Sequence, residues 1–139
     1  KQNGVEGAIF GDISLQEHME WIERVCGELD IEPIFPLWME EPEKLLNDFI
    51  AAGFEAIIVS TRADLLGKEW LGRKIDSGFT TELRKVAGSI HPCGESGEYH
   101  ALVTDGPVFK QRIEIVETDQ ALREGYWFLD ISRCELGHK

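Results

Sequence analysis

The order of apolar patterns along the chain predicts an α/β fold: the second half of a Rossmann-like parallel sheet layer, followed by a small α+β unit with antiparallel strands. Three observations carry that expectation. Through residue 60, short apolar runs alternate with helix-period segments in the order strand, helix, strand, helix, strand, which implies parallel strands joined by crossovers. From Tyr99 onward the period shortens to two, the mark of half-buried antiparallel strands. Between them the pattern breaks near residues 61–66, which divides the chain into residues 1–63, a partial Rossmann-like domain, and residues 64–139, a small α+β domain.

The elements follow in order. Val5 to Phe10 is an apolar run ended by Gly11 and Asp12, and reads as the first strand. Ser14 with Glu17 three residues on forms a capping box for a helix from Leu15 to Leu29, with one apolar face at 15, 19, 22, 25, 26 and 29. Ile34 to Trp38 is a short strand flanked by prolines. A second helix starts at Glu41-Pro42-Glu43 and ends at Gly53. Phe54 to Ser60 is a buried strand, expected to complete the parallel layer. Glu69 to Arg73 follows, with Trp70 and Leu71 apolar and Gly72 giving freedom before Arg73, and Thr80 to Gly88 is a short helix with a threonine cap. Tyr99 to Thr104, Arg112 to Glu117 and Tyr126 to Ser132 are alternating strands, with Asp119 to Gly125 as a turn or short helical link.

Composition narrows the function. The 139 residues are 42% hydrophobic, ample for a buried core, and carry a net charge of −12. Nucleic acid is therefore excluded as a direct partner, because phosphate backbones need clustered Lys and Arg. The acidity is uneven: residues 1 to 62 hold 13 acids and 4 bases, residues 63 to 139 hold 13 acids and 10 bases. Lys68 to Lys85 is locally basic and suits either an anionic ligand or a solvated helix face. Three cysteines without framework spacing fit a reducing cytoplasm, and no apolar run reaches membrane-spanning length.

The chemistry is concentrated in the stretch from His91 to Pro107, which holds three glycines, two histidines, Cys93, Glu95, Glu98 and Asp105. Gly94 and Gly97 free the backbone to turn its amides toward a ligand. On a strand register His100 and Glu98 share one face, and a turned Glu95 reaches the same side. A solvated glycine-rich hairpin is an alternative reading of the same residues. A metal site of His91, Cys93 and His100 is another, although its spacing matches no standard zinc pattern. Arg73 is placed either to grip a carboxylate or phosphate or to pair with Glu69 one turn earlier.

Cys93-Gly-Glu-Ser-Gly-Glu-Tyr-His100, continued by Leu102-Val-Thr-Asp-Gly-Pro-Val-Phe109, resembles the signature of the diphthine-ammonia ligase family, ATP-binding proteins related to the N-type ATP pyrophosphatases. Phe10-Gly-Asp-Ile13 and Glu69-Trp-Leu-Gly-Arg73 agree with that resemblance. Ala101 stands where the family carries threonine. The family's Ser-Gly-Gly-Lys-Asp-Ser phosphate loop precedes the matched part and is not in these residues, so the expectation is the C-terminal part of a longer enzyme, inactive by itself.

The resemblance implies a cytoplasmic ligase that adenylates a carboxylate with ATP and Mg2+ and amidates it with ammonium. The acceptor in the family is diphthine, the modified histidine of elongation factor two. It also implies roles: Glu95, Glu98 and His100 in catalysis, the acids toward a cation and the imidazole in proton transfer; Gly72, Arg73, Gly94, Gly97, Tyr99 and Asp105 toward substrate; Gly11 and Asp12 toward the nucleotide. Amidation of a different acid, as in bacterial homologues, and a non-catalytic substrate-binding module are the competing expectations. Self-association through an exposed sheet edge is a further one.

Overall fold

The computed structural model describes residues 3–86 and 88–139; Ala87, inside the helix expected over 80–88, lies outside the described residues. The chain divides into two compact units, Lys1–Leu45 and Leu46–Lys139.

The first unit is a strand, helix, strand arrangement. β1 (Gly7–Ile9) pairs in parallel with β2 (Glu32–Ile34), Ile9 opposite Ile34, and α1 (Gln16–Leu29) connects them. The predicted face of α1 forms about Ile22 and Cys26, which are buried, but does not reach Leu29, which is exposed. Leu15, not Ser14, occupies the N-cap, and its apolar side chain makes no capping bond. α2 (Pro42–Ala51) starts as expected, with Pro42 at the first helical position and both Glu41 carboxylate oxygens accepting from the Glu43 and Lys44 amides at 3.0 and 2.6 Å. It ends at Gly53, whose φ of +85° and N–H bond to the Ile50 carbonyl terminate the helix.

The second unit is a four-stranded antiparallel sheet in the order β4-β3-β6-β5. It comprises β3 (Glu55–Arg62), β4 (Tyr99–Asp105), β5 (Arg112–Arg123) and β6 (Tyr126–Gly137). Here the structure departs from the expected parallel layer. β3 pairs antiparallel with both β4 and β6 and belongs to the second unit, not to the layer of β1 and β2. The physical reason is that a central strand covered on both faces is apolar at every position whichever way its neighbours run.

β6 follows β3 only over Tyr126 to Phe128. Beyond that point the segment 72–75 takes the flank of β3. Gly72 donates to the Ile58 carbonyl at 2.8 Å, Ile58 to the Arg73 carbonyl at 3.0 Å, and Ile75 to the Ala56 carbonyl at 2.9 Å. Gly72 has φ +79°, a conformation that glycine adopts without strain, and so turns the chain out of the 3-10 turn Lys68–Trp70 into this edge.

β5 and β6 are both 12 residues long and join through Glu124 and Gly125, at φ +50° and +82°. Two positive φ angles in a two-residue loop make the tight turn whose twist matches the strands. The helical link expected over 119–125 is therefore strand up to Arg123. Residues 116 to 120 are exposed on both faces, so no burial imposed an alternating pattern for the sequence to display.

The core of this unit gathers Leu46, Ala56, Ile58, Leu66, Ile75, Phe79, Leu83 and Tyr99. Phe79 is fully buried at the start of α3 (Phe79–Arg84), edge-on to Trp70 and to Tyr99 with centroids 5.9 and 5.6 Å away. Gly78, not a threonine, caps α3.

Candidate functional site

The loop before β4 is folded onto itself by its own glycines. Gly94 donates to the His91 carbonyl at 2.8 Å, and Gly97 to the Gly94 carbonyl at 3.0 Å. At Gly94 (φ +65°) a Cβ would lie 2.8 Å from the Tyr99 carbonyl oxygen and 3.0 Å from its ring, so any larger residue collides with the strand that follows. Tyr99 closes the loop from below: its hydroxyl donates to the Pro92 carbonyl at 2.5 Å. Burial, then the neighbouring Cys93 and Glu98, push its phenol pKa upward. Tyr99 thus packs and pins.

Glu98 is the buried acid of this loop, 5% exposed. Its Oε1 accepts the His91 amide at 3.0 Å and its carbonyl accepts the Arg62 amide at 2.9 Å. Its Oε2 is buried and has no hydrogen-bond partner among the described residues; the Thr61 hydroxyl is the other such atom. A buried carboxylate oxygen without a donor is costly, so it marks a place where a donor or cation belongs.

His91 stands beside it. Its Nδ1 accepts the Cys93 amide at 3.1 Å, which leaves the proton of the neutral ring on Nε2, 3.7 Å from Glu95 Oε2. Sequence reading considered His91 only as a metal ligand. The usable signal was a ring two residues ahead of a backbone amide in a glycine turn. His100, by contrast, is exposed at the second residue of β4. The face that Glu98 and His100 were expected to share is not formed, because Glu98 precedes the strand and turns inward while His100 points to solvent.

The remaining predicted residues separate. Tyr99 and His100 border a cleft of about 320 Å³ with Cys93 and Ala56. Gly72 and Asp105 border a cavity of about 450 Å³ with Ile57 and Arg112. Ala56 and Ile57 alternate along β3, so the two lie on opposite faces of the sheet. Asp105 is held by Lys139 at 2.7 Å, Arg112 at 3.2 Å and the Gly106 amide at 2.8 Å, and Lys139 first among these holds its carboxyl below the usual range.

Arg73 was expected to grip substrate. In the structure its guanidinium donates to both Glu82 oxygens at 2.9 and 3.0 Å, to both Asp76 oxygens at 3.0 and 2.9 Å, and to the Lys74 carbonyl. All five N–H donors are engaged, and none remains for a ligand. The pairing with Glu69 is likewise replaced by these two acids.

Gly11 and Asp12 lie in the first unit, after β1; Asp12 Oδ1 is 3.2 Å from His18 Nδ1. Asp12, expected to face the nucleotide or its metal, thus has His18 beside it in this structure. Among the described residues no group of three or more His, Cys, Asp or Glu is placed to hold a metal ion, and no helix is long and apolar enough to cross a membrane.

Residues 41–136 match a family model described as the diphthamide synthase C-terminal domain. The proteins named diphthine--ammonia ligase include similar chains. That of Schizosaccharomyces pombe is 37% identical over 101 residues, 70% of this chain and 16% of the relative. That of Rattus norvegicus is 36% identical over 121 residues, 85% of this chain and 45% of the relative. That of Mus musculus is 34% identical over 135 residues, 95% of this chain and 50% of the relative. The chain spans half or less of the length of these curated relatives.

Proposed function

Because the chain belongs to the family of the diphthamide synthase C-terminal domain, we propose that it forms the acceptor and ammonia side of an ATP-dependent amide ligase whose acceptor carboxylate is that of diphthine on elongation factor two. In the whole protein ATP, with Mg2+ as its counter-ion, would supply the activation of that carboxylate. Arg73, with its five donors engaged, offers a triphosphate no contact. What the described residues do is hold the incoming cation and keep water from the activated acid.

The observation that carries this reading is the buried Glu98 carboxylate. One oxygen is fixed by the His91 amide and the other has no donor among the described residues. An ammonium ion brings the donors and the charge that such an oxygen lacks. Glu95, beside His91 Nε2, is the second acid within the loop. His100, exposed at the start of β4, is free of the packing that fixes its neighbours and is the imidazole available to accept a proton from the attacking nitrogen. A non-catalytic substrate-binding role is the second reading, favoured by the separation of the two expected catalytic groups, Glu98 buried and His100 exposed.

The test uses the whole protein with ATP, an ammonium salt and elongation factor two bearing diphthine, read by mass spectrometry of the modified peptide. Amide formation that collapses in Glu98→Gln and persists in Arg73→Lys supports the ligase reading. Acceptor binding without amide formation in the wild type moves the weight to the binding-module reading.

A further inference from the structure

The ribbon of β5 and β6 leaves a strand edge uncovered. β6 is hydrogen-bonded to β5 along one side, but on its other side β3 accompanies it only over Tyr126 to Phe128. Every residue from Ser132 to Leu136 is exposed, Leu136 to 65%. An open edge with apolar side chains is a template for another strand.

We propose that this edge pairs antiparallel with the same edge of a second copy, in the register centred on Cys134. The charge pattern selects that register. A two-fold axis through Cys134 sets Arg133 of each copy opposite Glu135 of the other, two opposite-charge cross-strand pairs from one contact. It sets Ser132 opposite Leu136 and brings the two exposed Cys134 thiols face to face. In the single chain Arg133 is only loosely engaged, 3.6 Å from Glu135 and 3.9 Å from Glu117 with all three side chains more than half exposed, so it is free to exchange partners.

The outer edge of β5 does not offer the same solution. Its central register, about Thr118, sets Glu117 against Asp119, and like charges directly opposite repel. Each strand carries one bulge, Val116 on β5 and Ser132 on β6, so it is the charge pattern that separates the two edges. The inner edge of β6 is therefore the self-complementary one.

The experiment is sedimentation and light scattering on the full chain and three variants, with oxidation by glutathione disulfide, which takes the two electrons and two protons of the thiols, as a second readout. Wild type is expected as a dimer that oxidation locks through Cys134, and Cys134→Ser as a dimer that oxidation no longer locks. Arg133→Glu faces two glutamates with two glutamates and is expected to raise the dimer dissociation constant roughly tenfold or more. The charge exchange Arg133→Glu with Glu135→Arg restores the pairs and is expected to restore the dimer, which separates lost pairing from lost folding. A monomeric wild type overturns the proposal, as does a dimer indifferent to Arg133→Glu or a double variant that stays monomeric.

Discussion

Two segments of the second unit look alike as sequence and differ as structure. Glu69 to Arg73 and Cys93 to His100 each carry charged residues beside a positive-φ glycine, and both read as substrate-binding motifs. In the first, Arg73 has all five donors engaged by Glu82, Asp76 and the Lys74 carbonyl. In the second, Glu98 keeps one buried oxygen without a donor among the described residues. The difference teaches that charge alone does not mark a site; hydrogen-bonding capacity left over after folding does.

Phe79 tests the ground the two segments share, since it packs edge-on against Trp70 of one and Tyr99 of the other. Phe79→Ala is expected to cost about 3–5 kcal/mol in urea unfolding, the largest effect here, and to loosen both segments together. Protection of the Gly94 and Ile75 amides from hydrogen exchange should fall in parallel; loss on one side only would show the segments to be independent.

Glu98→Gln sharpens the contrast. It keeps an oxygen for the His91 amide and removes the charge, so the melting temperature should stay within about 3 °C while amidation by the whole protein falls about a hundredfold. Arg73→Ala is the mirror image. Its partners Asp76 and Glu82 are half exposed, which limits the loss, and a fall of about 3 °C in melting temperature is expected.

Acid separates the segments further. Hydrogen bonds from Arg73 hold the Asp76 and Glu82 carboxyls below their ordinary values. With folded-state values depressed, the unfolded chain takes up these protons first as pH falls. The stabilisation is therefore complete above the ordinary carboxylate range and is lost as pH drops through the folded values. Urea midpoints taken from about pH 6 to about pH 3 should fall less steeply in Arg73→Ala than in wild type. The smallest effect is that of His100→Ala, exposed on β4, which should change stability by less than about 0.5 kcal/mol.

Much of the fold was legible because it is local. The apolar face of α1 at Ile22 and Cys26, the Glu41-Pro42 start of α2 and its end at Gly53 follow from periodicity and capping within a few residues. The loop was legible for a similar reason: Gly94 and Gly97 do adopt the conformations that glycine permits. The ends of β5 and β6 were not, because a ribbon exposed on both faces takes its length from its partner strand.

By itself the sequence determined the α/β class, the glycine turns, the order of the elements and the motif that places the chain in its family. Each of these is written in neighbouring residues, where the period of apolar side chains and the freedom of glycine act over one or two turns of chain. Only the tertiary structure decided that β3 lies between β4 and β6, that Arg73 turns its donors to Glu82 and Asp76, and that Glu98 is buried while His100 is exposed. Those outcomes depend on which distant groups the fold brings within reach of a donor or an edge, and a hydrogen bond across the fold has no period in the sequence to announce it.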